Sequence, residues 1–266
     1  MVIKRIKLYV NNNSKSIRNA KIVEDKFIKN GYIIDNNDYD MAVSIGGDGA
    51  FLRMVRSCNY DSNPYYVGIN SGTLGFLSEV EVNDVDNFIN RLNNNDYYDN
   101  KVNIQKTIIN YDNKMDILFS LNDVIIRYNN CKVLKSDIYC NNSLFESFTG
   151  DGIIISTSIG STGHNASYGG ASIDPIFSTI QVTPMGAIST KAYNSYRNPV
   201  IFNKDTIVKV MPRDDLRHYF ITYDGIDKYY NNVKSVESCL DDSKIKILKL
   251  NNYSFANRIH NKLISD

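Results

Sequence analysis

The stretch Ser44-Ile45-Gly46-Gly47-Asp48-Gly49-Ala50-Phe51-Leu52 carries a short apolar run, Met41 to Ile45, into three glycines around one aspartate, and helical spacing follows from Phe51 to Cys58. A buried strand that breaks into glycines and then enters a helix is a βα unit. Its glycines let the backbone approach a ligand closely, and the helix N-terminus offers N–H groups with positive partial charge, a geometry that suits phosphate. Taken alone, Gly46-Gly47-Asp48-Gly49 is equally a tight βα turn with no ligand. The stretch is neither a G-x-G-x-x-G fingerprint nor a G-x-x-x-x-G-K-[ST] loop, because position 52 is Leu and no Gly-Lys follows.

Outward from this unit, the first hundred residues repeat the alternation. Lys4 to Val10 has the composition of a strand; after Ser14, read as an N-cap, Ile17, Ala20, Val23 and Phe27 recur at helical spacing. Tyr32 to Ile34 and Tyr65 to Ile69 are further strand-like runs, and Val85, Phe88, Ile89 and Leu92 share one face of a helix after Asn83. Strands alternating with helices predict a parallel sheet covered on both sides. From about residue 100 the helical periodicity gives way to strand-like runs: Val102 to Asn110, Met115 to Leu121, Val124 to Tyr128, Val133 to Cys140 and Leu144 to Phe148, with Asn141-Asn142 as a hairpin turn before the last. Ile180 to Val182, Val200 to Phe202, Ile207 to Met211, Tyr219 to Tyr223 and Lys244 to Leu250 continue it. Phe255, Ile259 and Leu263 then follow an i, i+4, i+8 spacing, which predicts an amphipathic tail helix packed onto the body. The chain thus divides into an α/β half, residues 1–99, a β-rich half, residues 100–250, and the tail, residues 251–266.

The 266 residues suffice for two ordinary domains without disulfide staples. Thirty Lys plus Arg against 29 Asp plus Glu give a formal charge of +1, which supplies no footprint for nucleic acid or an anionic membrane. Apolar runs such as Ile153-Ile154-Ile155 fall far short of the roughly 20 residues that cross a bilayer. The first ten residues interleave Lys4, Arg5 and Lys7 with apolar side chains, unlike a signal peptide, and Cys58, Cys131, Cys140 and Cys239 form no C-x-x-C pair. A reduced, cytoplasmic protein with no membrane or nucleic-acid partner is expected.

Three further segments invite chemistry. Gly68-Ile69-Asn70-Ser71-Gly72-Thr73-Leu74-Gly75-Phe76-Leu77 follows an apolar strand with small and hydroxyl residues; beside the first loop, on a neighbouring parallel strand, it would line one crevice of an open α/β sheet. Ser120-Leu121-Asn122-Asp123 closes a strand in the β-rich half. An Asn amide offers a donor and an acceptor in one plane, as adenine requires, and an adjacent carboxylate can accept from ribose hydroxyls, although Asn-Asp alone is more often a turn. Thr149-Gly150-Asp151-Gly152 precedes a strand that runs into Ser156-Thr157-Ser158-Ile159-Gly160-Ser161-Thr162-Gly163-His164-Asn165, which by itself also fits a hydroxyl-rich turn before a helix.

In this order and spacing the four segments resemble the NAD kinase family, in its ATP-dependent bacterial type. The loops Gly46 to Leu52, Asn70 to Leu77, Asn122-Asp123 and Asp151 to Asn165 each match one of its motifs, over nearly the whole chain. Gly-Gly-Asp-Gly is shared with lipid kinases and phosphofructokinases; Asn-Ser-Gly-Thr-Leu-Gly-Phe-Leu is far more specific, and Thr183-Pro184 and Asp224-Gly225 also look like family features. The resemblance implies an α/β domain completed by the C-terminal helix, a β-rich NAD-binding domain, a homotetramer, and transfer of the ATP γ-phosphoryl group to the 2'-hydroxyl of the adenosine ribose of NAD. It makes Asp48 the catalytic carboxylate, acting on that hydroxyl or orienting phosphates through Mg²⁺. Asn122 and Thr162 would contact adenine, Asp123 the ribose hydroxyls, and Asp151 with the Gly163 backbone the nicotinamide end. Gly46, Gly47, Gly49, Phe51, Leu52, Asn70, Ser71, Gly72, Ser158, Ser161 and Asn165 would complete the nucleotide-binding set. Mg²⁺ or another divalent cation would be held mainly through nucleotide phosphates, with no dedicated protein ligands.

The chain departs from the family pattern at Asp123, where Glu is typical, at Ser158-Ile159 in place of Pro and a hydroxyl residue, and at Gly163-His164 in place of Ala-Tyr. These departures bear on pocket shape rather than on Asp48. His164 is either a ring stacked near the nucleotide or a surface histidine, the first being favoured; His218 and His260 have no partner motif. A lipid or sugar kinase sharing only Gly-Gly-Asp-Gly, and a non-catalytic NAD(P)-binding protein, are the competing functions.

Overall fold

The computed structural model describes residues 3–71, 75–128, 132–214 and 217–264. In chain order they form β1 (Arg5–Val10), α1 (Ser14–Lys29), β2 (Ile33–Ile34), β3 (Met41–Gly46), α2 (Asp48–Ser57), β4 (Tyr65–Asn70), β5 (Ser78–Glu81) and α3 (Val85–Asn93). Next come β6 (Tyr97–Tyr111), β7 (Lys114–Ser120), β8 (Asp123–Tyr128), β9 (Leu134–Cys140), β10 (Ser143–Gly150), β11 (Gly152–Thr157) and α4 (His164–Ser167). The chain ends through β12 (Thr179–Met185), β13 (Val200–Asn203), β14 (Val208–Pro212), β15 (Tyr219–Tyr223), β16 (Ile226–Tyr230), β17 (Val233–Leu250) and α5 (Phe255–Ile259). Two compact units result, Met1–Val102 with Lys244–Asp266, and Asn103–Ser243. A division drawn at 100 falls inside β6 and one at 250 falls at the end of β17, whereas the boundary between Ser243 and Lys244 lies within β17.

In the first unit β2, β1, β3 and β4 pair in parallel, in that spatial order. Along the far side of β4, Lys246 and Ile247 of β17 pair with Tyr65 and Tyr66, and β5 pairs with Gly68 to Asn70, again in parallel. Alternation along each strand sorts the core by face. Val23 and Phe27 of α1 and Phe88 and Ile89 of α3 share one cluster with Met41, Val43, Ile45, Val67 and Ile69. Phe51 of α2 lies against Gly68, whose absent side chain on the other face leaves the space for that ring: a Cβ there would stand 3.3 Å from Phe51 Cδ2. Both faces of the parallel sheet are therefore covered.

The second unit is antiparallel. Six strands order as β13-β12-β11-β8-β15-β16. A second layer contains β10, β9, β14 and the first half of β17, with β6 and β7 as a hairpin. Val124, Ile126, Ile153, Ile155, Val182 and Ile221 from the first layer interlock with Ile138, Phe148, Val208, Val210 and Val236 from the second. Asn141 and Asn142 both take positive φ between β9 and β10, as a two-residue hairpin turn demands.

Three expectations need correction. The N-cap of α1 is Asn13, whose side chain accepts from the Ser16 N–H, and not Ser14. Strand β17 begins at Val233, ahead of the expected Lys244, because its inward positions include Ser235 and Ser238, polar residues that hydrogen bonds from Asn110 and Gln105 make acceptable to the interior. The tail does not dock through an apolar stripe. Phe255 and Ile259 are only half-buried, Leu263 is 53% exposed, and α5 runs only from Phe255 to Ile259 before widening into a π-helical segment, His260–Ile264. Its hydrogen bonds to the first unit come from Arg258 and Lys262.

Candidate active site

In the first unit the two glycine-rich loops leave the same ends of β3 and β4, where Gly46 pairs with Asn70 and the Ser71 N–H donates to the Gly46 carbonyl at 3.3 Å. Gly46 is required by packing: a Cβ there would lie 2.6 Å from that of Ala50, so the strand could not turn this sharply into α2. Gly47 is the N-cap and has no side chain to satisfy the first-turn N–H groups. Asp48 opens the helix, half-exposed, and its carboxylate reaches the other loop: Oδ2 accepts from the Phe76 N–H and Oδ1 from the Leu77 N–H, both at 2.9 Å. The helix begins at Asp48, three residues before the apolar run that predicted it.

Asn70 is buried and donates to both oxygens of Glu81, at 3.0 and 3.1 Å, while the Ser71 hydroxyl lies 3.0 Å from that of Ser16. Both residues border a cleft of ≈ 280 Å³ with Lys15, Asn19 and Asn83. Gly72, with Thr73 and Leu74, lies outside the described residues. Phe51 and Leu52 are core side chains: Phe51 has no exposed surface and lies against Gly68 of β4. Arg53 was not singled out, yet it lies one helical turn from Gly49, where a Cβ would be 3.3 Å from its Nη1, and it donates to Asn11 Oδ1 at 2.7 Å. The i, i+4 spacing was the available signal.

In the second unit a second constellation forms where β8 starts. The hairpin turn Asp224-Gly225, with both φ positive, presents the Asp224 carboxylate to the N–H groups of Leu121 and Asn122 at 2.7 and 2.8 Å. Thr157 secures the same segment from β11, its hydroxyl donating to the Leu121 carbonyl at 2.6 Å and its N–H to the Asn122 carbonyl at 2.9 Å. Gly160 passes so close that a Cβ would lie 2.1 Å from the Asn122 carbonyl oxygen. The backbone is thus clamped, while the Asn122 side chain is not: among the described residues its buried Oδ1 has no hydrogen-bond partner. Asp123 is 5% exposed, and burial together with the Asp224 charge pushes its pKa up to about 7. A native fold tolerates a buried, unsatisfied acceptor beside a buried carboxylate where a ligand completes both.

The loop after β11 separates into supports and presented groups. Ser161 is fully buried; its hydroxyl donates to the Ser158 carbonyl at 2.7 Å and accepts from the Ile173 N–H at 2.9 Å. Asn165, also fully buried, donates to the Ser161 carbonyl and accepts from the Thr183 hydroxyl at 2.6 Å. Expected as ligand contacts, these two have their hydrogen-bonding capacity directed into the fold and fix the loop's shape; Ser158 is buried beside them. Thr162 is half-buried, and Gly163 and His164 are exposed. The His164 ring packs on Tyr168, centroids 5.4 Å apart, and partial burial, then the Arg127 charge, lower its pKa. The Asp151 N–H donates to the Met185 carbonyl at 2.8 Å, and its carboxylate lies over Gly186, where a Cβ would be 2.1 Å from Oδ2.

The family model described as ATP-NAD kinase N-terminal domain matches residues 5–97, and that described as ATP-NAD kinase C-terminal domain matches residues 121–243. The chain is 36% identical over 254 residues to an NAD kinase of Finegoldia magna, covering 92% of each. It is 26% identical over 262 residues to an NAD kinase of Lactobacillus gasseri, covering 98% of this chain and 97% of the relative. Among solved structures, yeast NADH kinase complexed with NADH superposes with a TM-score of 0.84 at 16% identity, over 97% of this chain and 86% of that one. An NAD kinase from Archaeoglobus fulgidus in complex with ATP gives 0.76 at 15% identity, over 97% and 98%. At these identities the two structures speak for the fold.

Proposed function

The chain belongs to the ATP-NAD kinase family, and from that premise we propose how its own residues divide the work. The enzyme transfers the γ-phosphoryl group of ATP to the 2'-hydroxyl of the adenosine ribose of NAD, making NADP. A lipid or sugar kinase sharing only Gly-Gly-Asp-Gly is not favoured, since the match extends through both units.

The observation that carries the assignment of residues is the pair at the start of β8. Asn122 Oδ1 is a buried acceptor in want of a donor, which the exocyclic amine of adenine supplies, and Asp123 is a buried carboxylate for the adjacent ribose hydroxyls. Thr162 joins the adenine contact, His164 lies against the nucleotide, and Asp151 with the Gly163 backbone serves the nicotinamide end. In the first unit, the glycine-capped N-terminus of α2 and the Arg53 guanidinium suit phosphate oxygens. Asp48 takes the proton of the reacting hydroxyl or orients the phosphates; two backbone N–H bonds fix its carboxylate and leave each oxygen a second lone pair for that work.

Among the described residues no group of three or more His, Cys, Asp or Glu could hold a metal ion. Asp48 would contribute to holding Mg²⁺ carried mainly by the nucleotide phosphates, which when bound neutralises charge on the transferring group. A homotetramer is the proposed assembly, supported by the family resemblance and by the exposed Met115, Ile117 and Phe119 along β7. No described helix is long and apolar enough to cross a membrane. A cytoplasmic location is proposed from the free thiols of Cys58, Cys140 and Cys239, among the described residues, which suit a reducing compartment.

The test is NADP formation from NAD, ATP and Mg²⁺, with diacylglycerol and fructose 6-phosphate as control acceptors. Asp48→Asn should lose about 10² to 10⁴ in turnover with NAD affinity changed by no more than a few-fold. Turnover near that of the parent at saturating NAD and ATP would remove Asp48 from the mechanism.

A further inference from the structure

The two N–H groups that hold Asp48 belong to Phe76 and Leu77, and the next two residues of the chain, Ser78 and Glu79, are held in turn by the segment that returns after the second unit. Arg258 of α5 donates from Nη1 to the Ser78 carbonyl at 2.7 Å and from Nη2 to Glu79 Oε2 at 3.1 Å. Lys249 of β17 donates to the same Glu79 oxygen at 3.0 Å, and the Leu250 N–H reaches Glu79 Oε1 at 3.1 Å. The Glu79 and Lys249 side chains are 4% and 5% exposed. Burial works against the Lys249 ammonium, Glu79 offsets it, and Asp48 also lies within its electrostatic reach. One buried carboxylate thus faces two cations and a backbone donor, an arrangement with a definite geometry and a large penalty for losing a member.

Stability does not require so elaborate a device at the edge of the sheet, where an apolar contact of the same volume would serve as well. What the cluster does fix is the start of β5: the Ser78 backbone is already pressed against Gly68, where a Cβ would stand 2.9 Å from the Ser78 Cα, and Arg258 fastens its carbonyl. We infer that Arg258 is a positioning residue for the phosphoryl transfer: with Lys249 it clamps Ser78 and Glu79 so that the Phe76 and Leu77 N–H groups hold the Asp48 carboxylate in its working orientation. This rests on the role proposed above for Asp48. It gives the tail a part in turnover through the Asp48 carboxylate.

The experiment measures kcat, KM and NAD affinity for Arg258→Ala and Arg258→Lys, with urea midpoints for both. Arg258→Ala should lower kcat at least tenfold while KM for NAD and for ATP stay within about twofold, because an orientation is lost and no ligand contact is. Arg258 borders an open cleft of ≈ 330 Å³ with Glu79, Arg91 and Tyr253, so free guanidinium at millimolar concentration can enter and should restore part of the turnover of the Ala variant. Should Arg258→Ala fail to fold, Arg258→Lys carries the test, keeping a cation for Glu79 and losing the fork; its kcat should fall with KM unchanged. Added to Asp48→Asn, Arg258→Ala should cost little more, since both act through one carboxylate. Full turnover in a folded Arg258 variant, a loss confined to KM, or a loss that multiplies fully with that of Asp48→Asn would overturn the inference. Unimpaired turnover of Asp48→Asn alone would instead strike at the role of Asp48, so the two failures are separable.

Discussion

Asp123→Asn should stabilise the ligand-free protein at pH 8, have little effect at pH 4, and weaken NAD binding. Asp123 is 5% exposed and faces the Asp224 charge, so its pKa rises from 3.8 to about 7, whereas in the unfolded chain it ionises near its ordinary value. Between those limits the folded protein keeps a proton that the unfolded chain has released. Stability therefore falls as pH rises through that window and levels off above the folded pKa. Roughly three units at about 1.4 kcal/mol each set a ceiling of about 4 kcal/mol. Asparagine has nearly the same volume and no charge, and so escapes the loss. Urea unfolding of both proteins without nucleotide at pH 4 and pH 8 measures it: the stability difference, variant minus parent, should grow by about 3 to 4 kcal/mol between the two. Calorimetric titration should show the opposite sign for NAD, with about 1 to 3 kcal/mol of affinity lost because an amide replaces a carboxylate acceptor. A stability difference that stays constant with pH would mean that Asp123 is solvated when ionised, and the argument from burial would fail.

Asn122→Ala should leave the free protein's stability nearly unchanged, since the lost Oδ1 has no partner to miss, yet cost about 1 to 3 kcal/mol of NAD affinity and blur discrimination against the hypoxanthine analogue, as titration with both ligands would show. Gly160→Ala forces a methyl to within 2.1 Å of the Asn122 carbonyl, so it should lower the thermal midpoint by the equivalent of about 1 to 3 kcal/mol or more and weaken NAD binding with it; a parent-like melt would show that the loop relaxes freely. With its pKa lowered from the ordinary imidazole value by burial and by Arg127, His164 is mostly neutral at and above pH 6.5, so a change in NAD affinity should appear only below that pH and should flatten in His164→Tyr. Superimposable profiles for the two proteins would leave the ring with no role beyond packing on Tyr168.

The strands and helices of the first unit were legible because its layers obey simple periods: Val23 and Phe27 face the sheet at helical spacing, and Met41 to Gly46 is buried throughout, as a parallel strand covered on both faces must be. The first half of β17 was not, because its inward serines are made acceptable by Gln105 and Asn110, partners more than a hundred residues away. The tail misled for a related reason. Phe255, Ile259 and Leu263 have the right spacing for an apolar stripe, but the contacts on the body that received the helix were Ser78 and Glu79, which called for Arg258.

At the site, the sequence alone determined which groups carry chemistry: a carboxylate among glycines at Asp48, an amide beside a carboxylate at Asn122-Asp123, and hydroxyls flanking Gly160 and Gly163. Those are local facts, set by residue type and by what a strand-to-helix turn can accommodate. Which polar groups are left for a ligand was decided only by the tertiary structure. Ser161 and Asn165 direct their hydrogen bonds inward to Ile173 and Thr183, whereas among the described residues Asn122 Oδ1 finds no donor and Asp123 faces the charge of Asp224. The physical reason is that satisfaction of a polar atom is a property of everything within about 3 Å of it, and those neighbours come from strands and turns far apart along the chain.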